Sequence, residues 1–442
     1  RRTGNPATPM VHAATHPDEI PFRTWADAPG WVRAVPVVLV AIGALSLALL
    51  FGREPHRAWE ALLFNWLFWS SLAFGMTLFA VALHLTNAHW AWSVQRFAAG
   101  GAFFLPIALL LLPVVFGGSE HFFHHWLRAE GDPVLEAKRA WLNLPGLIAR
   151  DLVAVALLTT LALWFVRTLV RPDLRGPAVP SCPLYERLTR GWRGEREEAL
   201  RAKRTMNRLG PVLAILYAVL WGMIGVDLAM SLEPHWFSTM FPVAFFWTGF
   251  HGGVAATALA VCLLRRPLGL QSYVGKAQLH DLGKLVFAFS IFWMYLNWSQ
   301  YIVIWYGLLP VEQSWLVHRL ELPFGRVTAA VVLLTFVLPF FGLLTRPPKR
   351  HPVSLGLFAL LILIGHWLER YLLVVPSLTE TRGRLPLGWP ELGVGLGFAG
   401  LFLLAYGFYL RRFPLLPSAA SLAARDPLFV AVPASEPERA QA

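Results

Sequence analysis

Ten apolar stretches of about 20 residues each constrain this chain more than any other feature, because each is long enough to cross the ~30 Å hydrocarbon core of a bilayer as a helix. They run at 32–51, 60–85, 96–116, 148–170, 209–232, 239–264, 282–306, 326–345, 353–374 and 389–410. Lipid gives the backbone no hydrogen-bond partner, and a helix satisfies every N–H and C=O within one segment. The expected fold class is therefore an all-α polytopic membrane protein with ten transmembrane helices. Composition agrees: 56% of the 442 residues are hydrophobic and 14% are charged, where a soluble domain carries about 25% charged residues.

The net charge of +12 would suit a nucleic-acid partner in a soluble protein. Here the basic residues sit between the apolar stretches, which points to membrane orientation and away from nucleic acid. The segment 171–208 is the densest, with Arg171, Arg175, Arg187, Arg190, Arg193, Arg196, Arg201, Lys203, Arg204 and Arg208. It follows the fourth span and is expected on the cytoplasmic side, which puts both termini there as well. Arg265, Arg266 and Lys276, then Arg346, Lys349 and Arg350, then Arg411 and Arg412 fall on the same side. The opposite loops carry fewer: Arg53, Arg57, Arg128, Arg382 and Arg384. The expected location is a bacterial cytoplasmic (inner) membrane. The chain opens on Arg1, so its translated start is expected upstream, and no signal-peptide pattern is present in these residues.

Cys182 and Cys262 are the two cysteines, one in a basic loop and one inside a span. With no C-x-x-C-H haem motif and no iron–sulfur cysteine run, no redox centre is expected on this polypeptide. His121, His124 and His125 lack a surrounding carboxylate–histidine pattern, so no metal is expected. Beside them Phe122, Phe123 and Trp126 suggest a helix lying in the membrane interface within 117–147.

The spans repeat. FWSSLAFGMTLFAVALHL from Phe68 aligns without gaps with FWTGFHGGVAATALAVCL from Phe246, pairing Trp69 with Trp247 and Gly75 with Gly253. RDLVAVALLT from Arg150 aligns with RVTAAVVLLT from Arg326, and Ile224–Gly225 matches Ile364–Gly365. The unit is four helices, so both copies face the same way, unlike the inverted repeats of many transporters. The expected organisation is a tail at 1–31, a peripheral first helix at 32–59, a first four-helix bundle at 60–232 (spans 2–5), a second at 233–374 (spans 6–9), and a last helix and tail at 375–442, loosely ordered after Arg412. Gly393 and Gly397 give the last span a small-residue packing face.

Ionisable groups inside a membrane cost about 2.5–3.5 kcal/mol each on insertion scales, so each needs a reason to be there. In the first bundle they are His84, Asp151 beside Arg150, and Asp227; in the second, His251, Asp281 with Lys284, His366, Glu369 and Arg370. Each also has a structural reading. Arg150 and Asp151 lie near a span end and could snorkel; His251, in FHGGVA, could satisfy a helix–helix hydrogen bond; Glu369 and Arg370 could pair across helices. The functional reading joins them into a transmembrane proton path, entering past Asp281 and Lys284, reaching His251 and His366, and leaving by Glu369 or Asp227. The polar corner after Asp227 holds Glu233 and His235, which with Asp227 could take protons from a quinol; Trp236 beside them reads as an interfacial anchor.

Three stretches carry a family likeness: DLAMSLEPHWFSTMFP from Asp227, HDLGKLVFAFSIFWMYLNWSQYIVIWYG from His280 and HWLERYLLVVPSL from His366. They resemble the NrfD/PsrC-like membrane subunits of alternative complex III, a bacterial quinol:electron-acceptor oxidoreductase. Length and the short tail with ARDPLF at Ala424–Phe429 make the chain more similar to the second of that complex's two such subunits. The resemblance implies two four-helix bundles with peripheral first and last helices. It places haem c and iron–sulfur clusters on partners: a multihaem cytochrome, an iron–sulfur protein and a paralogous NrfD-like subunit. It gives the matching polar residues Asp227, Glu233, His235, His280, Asp281, Lys284, Gln300, His366, Glu369 and Arg370 a role in proton conduction coupled to quinol oxidation. It assigns no catalytic residue and no bound cofactor to this chain, with quinol an open case. Two other readings stand beside it: a quinol-binding subunit proper, and a stand-alone ion-coupled transporter.

Overall fold

The computed structural model describes residues 15–17, 20–128, 131–176, 179–378, 385–425 and 430–432. The expectations on residues 1–14, on Arg382 and Arg384, and on the end of the Ala424–Phe429 stretch lie outside the described residues. All ten apolar stretches are helices long and apolar enough to cross a membrane: span 1 Gly30–Arg53, span 2 Pro55–Leu85, span 3 Gln95–Phe116, span 4 Leu144–Asp173, span 5 Glu195–Leu232, span 6 Phe241–Leu264, span 7 Lys276–Gly307, span 8 Gly325–Gly342, span 9 Pro352–Leu378 and span 10 Trp389–Arg412. The protein is thus an all-α polytopic membrane protein of two four-helix bundles, spans 2–5 and 6–9, with spans 1 and 10 packed together at the side. A three-residue parallel pairing, Thr15–Pro17 with Val430–Val432, ties the two tails.

Span 5 starts well before its apolar run. Glu195–Arg208 continues the same helix, so the end of the basic segment is four polar helical turns and not a loop. Glu195, Glu197 and Glu198 occupy its first turn, where the positive end of the helix dipole favours carboxylates. Span 4 begins at a cap: Asn143 Oδ1 accepts from the Gly146 backbone N–H at 2.8 Å. The segment 117–143 holds three short helices, Ser119–Phe122, His124–Leu127 and Pro133–Lys138, in place of the one interfacial helix expected. Phe122, Phe123 and Trp126 are buried in the protein, so they pack inward and do not face lipid.

Span 2 is the centre. It is buried over 89% of its most apolar window, whereas spans 1 and 8 are buried over only 22% of theirs. It packs chiefly along span 6, its partner in the repeat. The contact is glycine on glycine: a Cβ placed on Gly253 would lie 2.5 Å from the Gly75 carbonyl oxygen, and one on Gly75 would lie 2.7 Å from the Gly249 carbonyl carbon. The positions that align in sequence therefore meet in space, as two copies related by an axis through their contact must. Spans 1 and 10 use the same device at Gly43 and Gly397, with Gly393 against Ser46.

Residues 413–418 of the tail after Arg412 are held, where a loose end was expected. Phe413, Leu415 and Leu416 are buried. Arg96 donates to the carbonyls of Pro414 (3.0 Å) and Leu416 (2.7 Å) and pairs with Asp173, both buried. The Tyr185 hydroxyl donates to the Arg412 carbonyl at 2.6 Å, and the Ser418 N–H to Asp173 Oδ1 at 3.0 Å. Residues before span 1 join in, with the Trp25 N–H on the Leu410 carbonyl (2.8 Å) and the Leu415 N–H on the Arg23 carbonyl (2.9 Å).

Candidate functional site

The second bundle contains a chain of buried polar groups. Span 6 offers Thr248 and His251, span 7 Ser290 and Trp293, and span 9 His366 and Glu369. Each pair is spaced three apart, which puts both members on one helix face. The three faces meet. Ser290 Oγ lies 3.2 Å from His251 Nε2; His251 Nδ1 lies 3.0 Å from His366 Nε2; His366 Nδ1 lies 2.9 Å from Glu369 Oε2. Glu369 also accepts from the Thr248 hydroxyl at 3.0 Å and from the Trp293 indole N–H at 3.2 Å. At the other end the Ser290 hydroxyl also reaches the Val286 carbonyl, at 3.1 Å. Both imidazoles are bonded through both ring nitrogens, so a proton taken at one nitrogen can be given up at the other.

His251, Ser290 and Thr248 are buried and His366 keeps 2% of its side-chain surface, but Glu369 keeps 15%. The chain is therefore closed at Ser290 and open at Glu369. Beside it Arg370 donates to the Phe245 carbonyl at 3.0 Å and lays its guanidinium 3.9 Å over the Phe245 ring. Its Nη1 and the hydroxyl of Tyr217, both buried, have no hydrogen-bond partner among the described residues. Among the described residues the first bundle has nothing equivalent. Continuing the repeat alignment, Thr248 matches Ser70, His251 matches Ala73, His366 matches Val226 and Glu369 matches Ala229. Around those positions the bundle is filled by aromatic rings instead, with Trp221 against Phe74 (4.9 Å between centroids) and Trp66 (6.1 Å).

Asp227 stands apart from this chain. It is fully buried and holds Arg150 in a two-pronged pair, Nε to Oδ2 at 2.5 Å and Nη2 to Oδ1 at 2.7 Å, while Oδ1 also accepts from the Trp141 indole at 2.8 Å. The Arg150 guanidinium lies 4.3 Å over the Trp141 ring. Asp151 is also fully buried and faces Asp227 carboxyl to carboxyl, within hydrogen-bonding reach, so it belongs to the same network as Asp227 and Arg150.

The corner after Asp227 is a third network. Arg319, from the short helix Pro310–Leu320, donates to Glu233 (3.1 Å), to the Ser377 hydroxyl (2.6 Å) and to the carbonyls of Trp315 (2.7 Å) and Leu372 (3.0 Å). Burial pulls the Arg319 pKa down to about 10, against the upward pull of Glu233, which leaves it a cation at neutral pH. Trp236 is buried and stacks on Trp315 with centroids 4.0 Å apart, so it is a core ring and not the interfacial anchor expected. His235 lies 3.0 Å from Asp132, and Lys138 donates to the Pro234 carbonyl at 2.6 Å. Of the three residues considered for quinol, Asp227 is tied to Arg150 and Trp141, whereas Glu233 and His235 belong to the corner, with His125 near both.

On the side of the basic segment, Lys284 pairs with Asp281 at 2.6 Å and His280 lies 4.0 Å from it. His84 Nε2 lies 2.8 Å from Asn207 Oδ1. Asp281 and Ser290 are nine residues apart on span 7, about 13.5 Å by helix rise, so Asp281 and Lys284 are not bonded into the buried chain.

A comparison with protein-family models finds no match, and one with curated proteins finds none. The case for function therefore rests on the geometry and on the three stretches. Several members of these networks carried no signal in the sequence. Ser290, Thr248 and Trp293 are unremarkable in apolar spans; their three-residue spacing is the cue that could have found them. Trp141 and Arg319 lie in connections and read as ordinary interfacial residues. Glu60 reads as a span boundary, yet it is buried one turn inside span 2 and lies 3.2 Å from His121, with His56 Nδ1 3.2 Å from His121 Nδ1. Among the described residues no group of three or more His, Cys, Asp or Glu is arranged to hold a metal ion.

Proposed function

We propose that this chain is an integral membrane subunit of a quinol:electron-acceptor oxidoreductase of the alternative complex III type, NrfD/PsrC-like, acting as scaffold and carrying a proton path in its second bundle. The observation that supports the proton role is the hydrogen-bonded line Glu369–His366–His251–Ser290, whose first three members have Ala229, Val226 and Ala73 at the matching positions of the other copy. A purely structural helix contact needs one donor and one acceptor; four groups in series across three helices give a route with a transferable proton at each step. The complex-level part of the proposal rests on the resemblance of the stretches from Asp227, His280 and His366. On this reading the basic-segment side is cytoplasmic, the membrane is a bacterial inner membrane, and haem c and iron–sulfur clusters are carried by partners. Quinol oxidation releases two protons and two electrons; the partners take the electrons, and the buried line serves proton transfer.

Two experiments test the proposal in turn. The tagged chain, solubilised mildly from its own membranes, should bring down proteins whose visible spectrum shows haem c. Isolation as a lone polypeptide would favour a transporter. In liposomes holding the intact complex, His366→Leu should lower the protons moved per quinol oxidised while assembly stays intact. An unchanged stoichiometry contradicts the proton role.

A further inference from the structure

On the basic-segment side, spans 4 and 5 diverge and leave a cleft of about 300 Å³ between the last turns of span 4 and the first turns of span 5. Three arginines line it, Arg167, Arg171 and Arg201, with Thr168 and Thr205 between them and a single carboxylate, Glu198. Glu198 is held by Arg171, Nε to Oε2 at 2.8 Å. Arg201 reaches out of the cleft to Glu197 at 2.9 Å, an exposed pair of the kind that contributes little and exchanges easily. The Arg167 guanidinium has no ion pair or hydrogen bond among the described residues. With Arg171 on Glu198 and Arg201 on the exchangeable Glu197, the Arg167 guanidinium is the uncompensated positive charge of this concave place.

The rim differs from the floor. Trp164, one helical turn from Arg167 toward the apolar part of span 4, is 51% exposed and also lines the cleft. Tryptophan at a span end settles at headgroup depth, with its ring against acyl chains. The cleft thus has guanidinium forks at its base and an aromatic, lipid-facing wall at its membrane edge.

We infer that this cleft binds a phosphate group, and that the ligand is the headgroup of an anionic phospholipid. The guanidinium fork matches phosphate oxygens two at a time, and basic pockets between membrane helices suit anionic headgroups. The Trp164 wall is what selects lipid over free phosphate, since an acyl chain leaving the headgroup runs along it. This site is independent of the proton path, which lies in the other bundle.

The full-length protein in detergent, titrated with phosphatidylglycerol or phosphatidylcholine and read by native mass spectrometry, tests the assignment. Phosphatidylglycerol should bind at least about tenfold more tightly. Arg167→Gln and Arg201→Gln, both at partly exposed positions away from the core, should each weaken it about fivefold, at roughly 1 kcal/mol per basic group near the surface. Arg128→Gln, outside the cleft, should change nothing. Equal binding of the two lipids, or cleft variants that bind like wild type, would overturn the site. Displacement of phosphatidylglycerol by millimolar inorganic phosphate would overturn the lipid and assign free phosphate.

Discussion

The crossing of spans 2 and 6 makes a sharp prediction because two adjacent glycines differ in what a methyl group would meet. In Gly253→Ala the new Cβ would lie 2.5 Å from the Gly75 carbonyl oxygen, where ordinary contact starts at 3.4 Å. The Gly75 carbonyl carbon and the Met76 N lie nearer still, so the two backbones must separate by more than about an ångström, and no side chain can rotate away to spare them. In Gly252→Ala the new Cβ meets only His366 Cδ2 and Leu72 Cδ1, each at 3.7 Å, which is ordinary contact. Both variants gain the same helix preference of alanine over glycine, about 0.5–1 kcal/mol, so their difference isolates the clash. Overpacking costs about 1–3 kcal/mol, and backbone obstruction puts this case toward the upper end, roughly a 5- to 150-fold shift in the folded ratio. Reversible unfolding in bicelles, followed by steric trapping, would measure it. Because His251 is two residues from Gly253, the displaced span 6 should also weaken the His251–His366 contact. Gly253→Ala as stable as Gly252→Ala would refute the glycine crossing as the joint between the bundles.

Other expectations follow from particular contacts. Asp173→Asn leaves the buried Arg96 without its counter-charge and should destabilise the protein by about 3–5 kcal/mol; limited proteolysis should then cut the released tail near Phe413–Ser418. Burial, and next the charge of His124, hold the His125 imidazole below its ordinary range, so between that lowered value and about pH 6.5 the unfolded chain binds more protons than the folded one. Stability should therefore rise with pH through that window, and His125→Gln should flatten the slope in thermal unfolding series.

How much of this could be read from the sequence depends on which force wrote it. The ten spans were legible because lipid forces the backbone into helices wherever the apolar run is long enough, and hydropathy records that directly. The start of span 5 was not, because Glu195–Arg208 is helical for local reasons, a carboxylate-rich first turn and continuity with the span, that leave no apolar run. The repeat was legible at Gly75 and Gly253, and the structure adds why glycine stands there: the backbones touch. His251, His366 and Glu369 stood out one by one as costly residues, but their meeting depends on three helices that sequence does not juxtapose. Asp227 was placed in the first bundle and joined to them as one exit of the path; its partners Arg150 and Trp141 hold it within that first bundle, apart from the chain of His251, His366 and Glu369. The tail after Arg412 looked loose because Pro- and Ala-rich sequence resembles a linker. Its order comes from Arg96 and Asp173, which are about 240–320 residues away in sequence and leave no local trace.

The proton line and the quinol-oxidising complex proposed above can be tested at Glu369, the partly exposed end of the buried chain. Infrared difference spectra of the intact complex, recorded as quinol turnover starts, should show a carboxyl C=O band of Glu369 that changes with turnover. The band should shift in deuterium oxide and be absent in Glu369→Gln. Spectra of Glu369→Gln indistinguishable from those of the unmodified complex would mean that no proton passes through this carboxylate, and would contradict the account.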